Sequence, residues 1–199
     1  MDFIFTIVSR NYAAQAASLM ERLGAIEPGI RRVVVTTDGP IAFKDPGIRT
    51  LDAASVVPDF AAMCAYYDAL ELNTAVKPLC FKALLSEEGV TSGAYFDPDI
   101  WVYRPLDAVR EGLAKAPLAL TPHTTRPLRG EASPNDHVIL QSGSFNLGFA
   151  AMRAEPEIFD LLDWWAEKLR FDCRVDFAAG LFTDQKWMDL APGLVSDLA

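Results

Sequence analysis

The sequence predicts a single α/β domain in which a mixed, mostly parallel sheet is flanked by helices. Continuous apolar runs such as Phe3–Val8 are typical of strands that are buried on both faces. That strand is followed at once by a helical segment, residues 12–23, with Leu19 and Leu23 four apart on one face. The chain has 199 residues, 51% of them hydrophobic, which is enough for one domain with a sizeable core.

The composition argues against two classes of partner. The net charge is −9 and no basic face is clustered in the sequence, so we expect no nucleic-acid partner. The first apolar run lacks a preceding basic segment and is too short for a membrane span. Cys64, Cys80 and Cys173 have no metal-ligand spacing, which favours buried thiols in a reducing compartment. We therefore expect a cytoplasmic protein without a transmembrane segment.

The other elements follow in order along the chain. Strands, each a short apolar or β-branched run, are predicted at residues 32–36, 48–51, 93–96, 118–121 and 145–152. Helices, marked by amphipathic spacing or by proline near a first turn, are predicted within 57–88 as two helices and at 107–115, 157–169 and 183–190. The irregular stretch 122–144 is predicted to be a flap near the site.

Two carboxylates follow the strand predicted at 93–96. Asp97 and Asp99 are two apart, so in an extended chain they point to the same side and converge on one cation or on a metal-bound phosphate. Pro98 fixes the backbone between them. Hard oxygen ligands of this kind favour Mg²⁺ or Mn²⁺. An ordinary Asp-Pro-Asp turn is the competing interpretation.

Further polar residues fall where ligands collect in α/β proteins. Ser9 and Asn11 follow the first strand and Asp38 follows the second, and ligands bind beyond the carboxyl ends of such strands. Asn146 interrupts a later strand, in which Gly148 would permit close backbone approach. A lysine is predicted at a helix start near Pro78, either Lys77 or Lys82, with a solvated surface charge as the alternative.

Taken together, these segments resemble a GT-A-fold nucleotide-sugar glycosyltransferase. The resemblance is greatest to the retaining glycosyltransferase family 8 group, which includes glycogenin and bacterial lipopolysaccharide galactosyltransferases. Five segments carry it in the expected order: NYAA at 11–14, TAVKPL at 74–79, YFDPDIWV with its DxD motif at 95–102, FNLG at 145–148 and DQ at 184–185.

The resemblance implies a Rossmann-like GT-A catalytic domain over residues 1–199. It implies transfer of a sugar from a nucleoside-diphosphate sugar, a UDP-sugar, to an unknown glycan, lipid or protein acceptor, with retention. The implied nucleotide-binding residues are Ser9, Asn11, Tyr12, which stacks on the base, Asp38, Lys77 and Asp97. Asp97 and Asp99 would hold Mn²⁺ or Mg²⁺. Asn146, Asp184 and Gln185 would form the catalytic side that grips the sugar.

One departure from the family concerns the metal. Family members usually supply a third ligand, a histidine, from a later C-terminal motif, and this sequence ends at Ala199 without it. We therefore expect either that the chain lacks the C-terminal part of the family or that His123, at a predicted strand end, supplies the ligand.

Other functions remain open at this stage. A non-catalytic module that binds nucleotide sugars would carry the same residues. A sugar-phosphate nucleotidylyltransferase also needs carboxylates and a metal, but the Gly-rich phosphate loop is missing after the first strand. A haloacid-dehalogenase-type phosphotransferase fits less well, because Asp97-Pro98-Asp99 is not followed by threonine.

Overall fold

A six-stranded sheet forms the centre of the computed structural model, which describes residues 1–130 and 134–199. Its strands are β1 (Phe3–Val8), β2 (Arg31–Thr36), β3 (Ile48–Asp52), β4 (Ser92–Phe96), β5 (Leu118–Pro122) and β6 (Phe145–Arg153). A two-stranded hairpin adds β7 (Val175–Asp176) and β8 (Leu181–Phe182). The helices are α1 (Ala13–Ile26), α2 (Phe60–Tyr66), α3 (Ala69–Ala75), α4 (Lys77–Leu85), α5 (Asp107–Lys115), α6 (Asp136–Ser142) and α7 (Pro156–Leu169).

The strand order β3-β2-β1-β4-β6-β5 confirms the predicted mixed, mostly parallel sheet. β1 pairs in parallel with β2 and β4, so Phe5 lies between Val33 and Tyr95. β6 runs antiparallel to both β4 and β5. The carboxyl ends of β1, β2 and β4 therefore lie beside the amino end of β6, and together these strand ends form the carboxyl edge of the sheet. This edge is where α/β folds bind their ligands.

Helices cover both faces of the sheet, which explains why β1 is apolar at every position. Phe5 packs against Phe81 of α4, with ring centres 4.8 Å apart, in the larger core cluster. Ile4 belongs to the second cluster, beneath Leu19 and Leu23 of α1. Both faces of the strand are buried, so its sequence shows no alternation.

The region 57–88 holds three helices, so the prediction of two was wrong. α2 ends at Tyr66, and α3 begins after its N-cap Asp68, whose carboxylate accepts from the Glu71 amide at 2.9 Å. Glu71 accepts in return from the Asp68 amide, which completes a capping box. This reciprocal cap restarts the chain as α3, and α4 then begins at Lys77 with proline in its first turn.

Three further differences lie towards the C-terminal half. The predicted flap, whose residues 131–133 lie outside the described structure, contains α6, capped by Asn135 on the Val138 amide at 3.0 Å. The β7–β8 hairpin was not predicted, because two-residue strands give no periodicity. The helical segment predicted from residue 183 begins later, as a 3-10 helix over Trp187–Gly193.

Within residues 1–130 and 134–199, each helix falls short of the length and apolar character that a membrane span requires.

Candidate functional site

The carboxyl edge of the sheet brings most of the predicted site residues together. Asp97 directly follows β4, while Asn146 lies at the start of the antiparallel β6. A cleft of about 450 Å³ opens beside this edge. Its walls include Ser9, Asn11, Tyr12, Tyr95, Asp97 and Asp99.

Asp97 is fixed on several sides. Its amide donates to the Gly148 carbonyl at 2.7 Å, and the Tyr95 hydroxyl donates to its Oδ1 at 2.5 Å. Burial raises the pKa of Tyr95 well above 10.0, and the charge of Asp97 adds to the rise, so the phenol keeps the proton that it donates. Asp97 is half-buried and Asp99 is exposed.

Gly148 makes room for that carboxylate, whereas the sequence predicted only a close backbone approach at this glycine. A Cβ built on Gly148 would lie 2.9 Å from Asp97 Oδ2 and 2.8 Å from Asn146 Oδ1. Asn146 Oδ1 accepts from the Gly148 amide at 2.8 Å, so the asparagine turns its acceptor towards the backbone of its own strand. A side chain at residue 148 would displace either the carboxylate or the amide.

The donor set at the edge fits a hard divalent cation. Asp97 Oδ2 and the exposed Asp99 carboxylate are the oxygen ligands that Mg²⁺ and Mn²⁺ prefer, and these cations accept water and phosphate for the remaining positions. No group of three or more His, Cys, Asp or Glu side chains placed to hold a metal occurs in the part of the chain that the structure describes. The two aspartates are thus the protein ligands on which a cation site would depend.

His123 lies at the end of β5, on the far side of β6 from the aspartates. Its Nδ1 is 2.9 Å from the Gly143 carbonyl, and its amide donates to the Ser144 carbonyl at 2.9 Å. The structure does not group His123 with Asp97 and Asp99, and its role as a third ligand stays a prediction.

Lys77 and Asp184 form an ion pair inside the protein. Lys77 Nζ donates to Asp184 Oδ2 at 2.5 Å and to the Leu147 carbonyl at 2.8 Å, and it lies 4.2 Å from the centre of the Tyr95 ring. Lys77 is 1% exposed and Asp184 is 3% exposed. Burial raises the pKa of Asp184, and the Lys77 cation opposes that rise. The predicted position of Lys77 at a helix start is correct, but its ammonium is directed at protein groups.

The turn at residues 183–185 directs the side chains of Asp184 and Gln185 towards different partners. Thr183 has φ +44°, which is uncommon for a residue with a branched side chain and indicates local backbone strain. The Trp165 indole donates to the Asp184 carbonyl at 3.1 Å, which fixes the turn against α7. Asp184 then faces Lys77, whereas Gln185 donates to the Ser142 carbonyl of α6 at 2.7 Å.

The opposite wall of the cleft is neutral and polar. Tyr12 is 42% exposed at the start of α1. Ser9 donates to Asn11 Oδ1 at 2.7 Å, which sets the orientation of that amide. Asp38 accepts from the Arg10 amide at 3.0 and 2.9 Å, so its carboxylate stabilises the turn that carries these residues.

Solved structures that resemble this chain show which fold it has. The sequence matches no protein-family model and no curated protein. The galactosyltransferase LgtC, in complex with donor and acceptor sugar analogues, aligns with a TM-score of 0.56 and 17% identity, over 92% of this chain and 71% of that chain. Mouse xyloside xylosyltransferase 1 in its apo form gives 0.54 and 14%, over 96% and 81%. The glycosyltransferase GlyE of Streptococcus pneumoniae TIGR4 gives 0.60 and 13%, over 100% and 44%.

The chain has the GT-A fold. These alignments confirm the GT-A fold that the five short motifs implied. Sequence identities of 13–17% indicate a shared fold and do not indicate a shared substrate. The chain spans 44% of GlyE, so the activity of GlyE can only be proposed for this chain.

Within this GT-A fold, sequence reasoning missed Tyr95 and Asn73. Tyr95 lies in the segment YFDPDIWV, and its spacing of two from Asp97 was the signal that both side chains point to the same side of an extended chain. Asn73 lies on α3 and lines the cleft, where it accepts from the Thr37 hydroxyl at 2.5 Å and donates to Ser9 at 3.5 Å. These partners are 36 and 64 residues away, so no local pattern reveals them.

Proposed function

We propose that this protein is a metal-dependent glycosyltransferase that moves a sugar from a nucleoside-diphosphate sugar, a UDP-sugar in the first instance, to an acceptor hydroxyl. The observation that carries the proposal is the paired carboxylate at the end of β4, which faces a cleft with an exposed tyrosine on its other wall. The proposal is supported by the position of this pair beyond the carboxyl end of β4, because α/β sheets bind ligands at that end of their strands.

The nucleotide would occupy the cleft between Tyr12 and the aspartates. The exposed ring of Tyr12 suits stacking on a base, which any base permits because every base has a π-face. Ser9, Asn11 and Asn73 offer both donors and acceptors to the edge of that base. Asp97 Oδ2 would then bind the ribose or share the cation.

Asp97 and Asp99 would hold Mn²⁺ or Mg²⁺. When bound, such a cation stabilises the negative charge that develops on the departing diphosphate. Asp99 suits direct coordination because it is exposed to the cleft, whereas Asp97 is partly committed to Tyr95.

The sugar would lie towards β6 and the turn at residues 183–185. Asn146, Asp184 and Gln185 would orient its hydroxyls after a rearrangement, because Asp184 faces Lys77 and Gln185 donates to the Ser142 carbonyl in this structure. Positioning alone supplies a large share of such a barrier. The Lys77–Asp184 pair is almost fully buried, so a sugar would reach Asp184 only when this side of the site opens. We assign no covalent nucleophile, and we propose retention on the resemblance alone.

A second candidate function is a nucleotide-sugar-binding module without turnover. The observation that favours it is Lys77, whose ammonium is 1% exposed and already donates to Asp184 and the Leu147 carbonyl. A cation committed in this way does not reach the diphosphate without rearrangement.

Calorimetry with UDP in the presence and absence of Mn²⁺, beside an assay of UDP released from UDP-sugars, tests both functions. The glycosyltransferase is expected to bind UDP in a Mn²⁺-dependent manner and to hydrolyse a donor slowly without acceptor. Tight binding with no release from any donor, with or without a panel of acceptors, would favour the binding module. Absence of binding for every nucleotide tested would contradict both.

A further inference from the structure

Tyr95 contacts both halves of the candidate site. Its hydroxyl donates to Asp97 Oδ1 at 2.5 Å, on the side of the predicted metal ligands. Its ring lies 4.2 Å beneath the Lys77 ammonium, which binds Asp184 on the sugar side. Tyr95 is 2% exposed, so it contacts these groups from beneath the surface of the cleft that it helps to line.

The Tyr95 ring is itself held rigidly. It packs edge-on against Phe5 of the neighbouring strand, with ring centres 5.1 Å apart. The parallel register places Tyr95 directly beside Phe5, at the centre of the sheet. A buried ring on a central strand has few rotamers available, so the hydroxyl occupies one position before any ligand binds.

We infer that Tyr95 is a positioning residue: it fixes the Asp97 carboxylate so that Oδ2 faces the donor, and it ties that carboxylate to the Lys77–Asp184 pair. The inference rests on the proposed function, because it assumes that Asp97 meets the donor or its cation. Tyr95 acts through Asp97, because it lines the cleft with only 2% of its surface exposed.

The geometry explains why Asp97 presents Oδ2, and not Oδ1, to the donor. Tyr95 occupies Oδ1, the Gly148 carbonyl holds the Asp97 amide, and the missing side chain of Gly148 leaves the space beside Oδ2. A half-buried carboxylate without such a partner would rotate about its last torsion, and ligand binding would have to order it. Preorganisation of Asp97 is therefore the contribution of the Tyr95 hydroxyl.

The contact between the Tyr95 ring and the Lys77 ammonium extends this positioning effect to the Lys77–Asp184 side of the site. The ammonium has three donors, of which two go to Asp184 and the Leu147 carbonyl, and the face of the Tyr95 ring lies close to the nitrogen. Tyr95→Phe keeps this ring contact and removes only the hydroxyl. The substitution thus isolates the effect on Asp97.

Tyr67→Phe is a matched control, since Tyr67 is also buried and loses the same atom. Its hydroxyl donates to the Leu169 carbonyl at 2.8 Å and accepts from the Cys173 amide at 3.0 Å, away from the aspartates. Calorimetry would measure the Kd for UDP with Mn²⁺, and thermal melting would measure the stability of each ligand-free variant. Tyr95→Phe is expected to raise that Kd about tenfold, the scale of one hydrogen bond to a charged group. Tyr67→Phe is expected to lower the Tm and leave the Kd unchanged.

A double substitution shows whether the effect passes through Asp97. In an Asp97→Ala background, Tyr95→Phe is expected to change the Kd less than twofold, because the acceptor of its hydrogen bond is gone. A Kd for Tyr95→Phe equal to that of the parent would overturn the inference and leave the proposed function intact. An undiminished tenfold effect in the Asp97→Ala background would also overturn it. A parent chain that binds no nucleotide would overturn the proposed function, and this inference with it.

Discussion

At the scale of single residues, Asp97 and Asp99 have different surroundings although they are two positions apart. Asp97 is half-buried and bound by Tyr95, whereas Asp99 is exposed at the rim of the cleft. A carboxylate that already accepts a strong hydrogen bond is a weaker ligand for a cation than one that faces water. These surroundings are the reason why we propose Asp99, before Asp97, for direct coordination of a cation.

Asp99→Asn is expected to abolish Mn²⁺-dependent UDP binding while the fold stays intact. The amide is nearly isosteric, but it lacks the charge that a hard cation requires from its ligand. Calorimetry with and without Mn²⁺ measures the effect, and the Tm of the ligand-free variant should lie close to that of the parent, because Asp99 is exposed. A variant that bound UDP and Mn²⁺ as well as the parent would show that the site is assigned wrongly.

Tyr12→Ala is expected to weaken UDP binding by about 1–3 kcal/mol, the range for stacking of a base on an aromatic ring. Tyr12 is 42% exposed, so its loss should affect stability little. Titration of the variant with UDP gives the effect, and Tyr103→Ala, at a tyrosine that is 79% exposed, is the control. General destabilisation with unchanged nucleotide affinity would instead indicate that Tyr12 packs against α1.

The residue types at this site were more predictable than their contacts. Asp97, Asp99 and Gly148 follow from strand periodicity and from the rarity of such residues within apolar runs. Lys77 was located correctly at a helix start, but its burial depends on Asp184, which lies 107 residues further along the chain. A counter-charge at that separation leaves no local pattern in the sequence.

At the scale of elements, β6 shapes the site because it runs against its neighbours. Its antiparallel pairing places Phe149 opposite Phe96. Gly148, the residue before Phe149, therefore lies beside Asp97 at the end of β4. A parallel strand in this place would present its other end to the edge. The direction of β6 thus brings Asn146 and Gly148 to the aspartates.

Gly148→Ala is expected to weaken Mn²⁺-dependent UDP binding at least about tenfold, since a Cβ 2.9 Å from Asp97 Oδ2 must displace the carboxylate. Gly112→Ala in α5 is the matched control, because its Cβ would meet the nearest atom at an ordinary 3.5 Å. That control should be neutral or stabilising by about 0.5–1 kcal/mol. Binding by Gly148→Ala at the level of the control would contradict the close approach.

Predictions of elements succeeded where length and periodicity were both strong. β1 and α5 have the predicted bounds, because a six-residue apolar run and a helix between proline signals are unambiguous. The break between α2 and α3 was missed, since both segments have helical composition and only the cap at Asp68 separates them. The hairpin of β7 and β8 is stabilised by tertiary surroundings, which the sequence does not display.

At the scale of the whole molecule, the Lys77–Asp184 pair joins segments that are far apart in sequence. Lys77 begins α4, Asp184 follows the hairpin, and the Leu147 carbonyl adds β6 to the same ammonium. The contacts of all three segments therefore meet at the buried Lys77 ammonium. Desolvation makes such a pair costly to form, yet removal of a single partner costs more because the other charge is left uncompensated.

The pH dependence of this contact follows from the pKa of Asp184. Burial raises that pKa above its usual 3.8, and Lys77 limits the rise. A carboxyl group with a raised pKa binds its proton more readily in the folded than in the unfolded chain, so the stability that it adds is present at low pH and is lost as the pH rises through the folded-state pKa. Removal of Lys77 takes away the opposing charge and strengthens this dependence.

Lys77→Met is accordingly expected to lower the free energy of unfolding by about 3–5 kcal/mol at neutral pH, and the deficit should shrink as the pH falls towards 3.8 and Asp184 becomes protonated. Urea unfolding at a series of pH values measures it. Lys82→Met on the same helix is the control, because its ion pair with Asp163 is exposed and should cost less than about 1 kcal/mol. Adding Asp184→Leu to Lys77→Met should restore much of the loss. A deficit that stayed constant with pH, or that the second substitution deepened, would mean that Lys77 stabilises the fold through its packing and not through its charge.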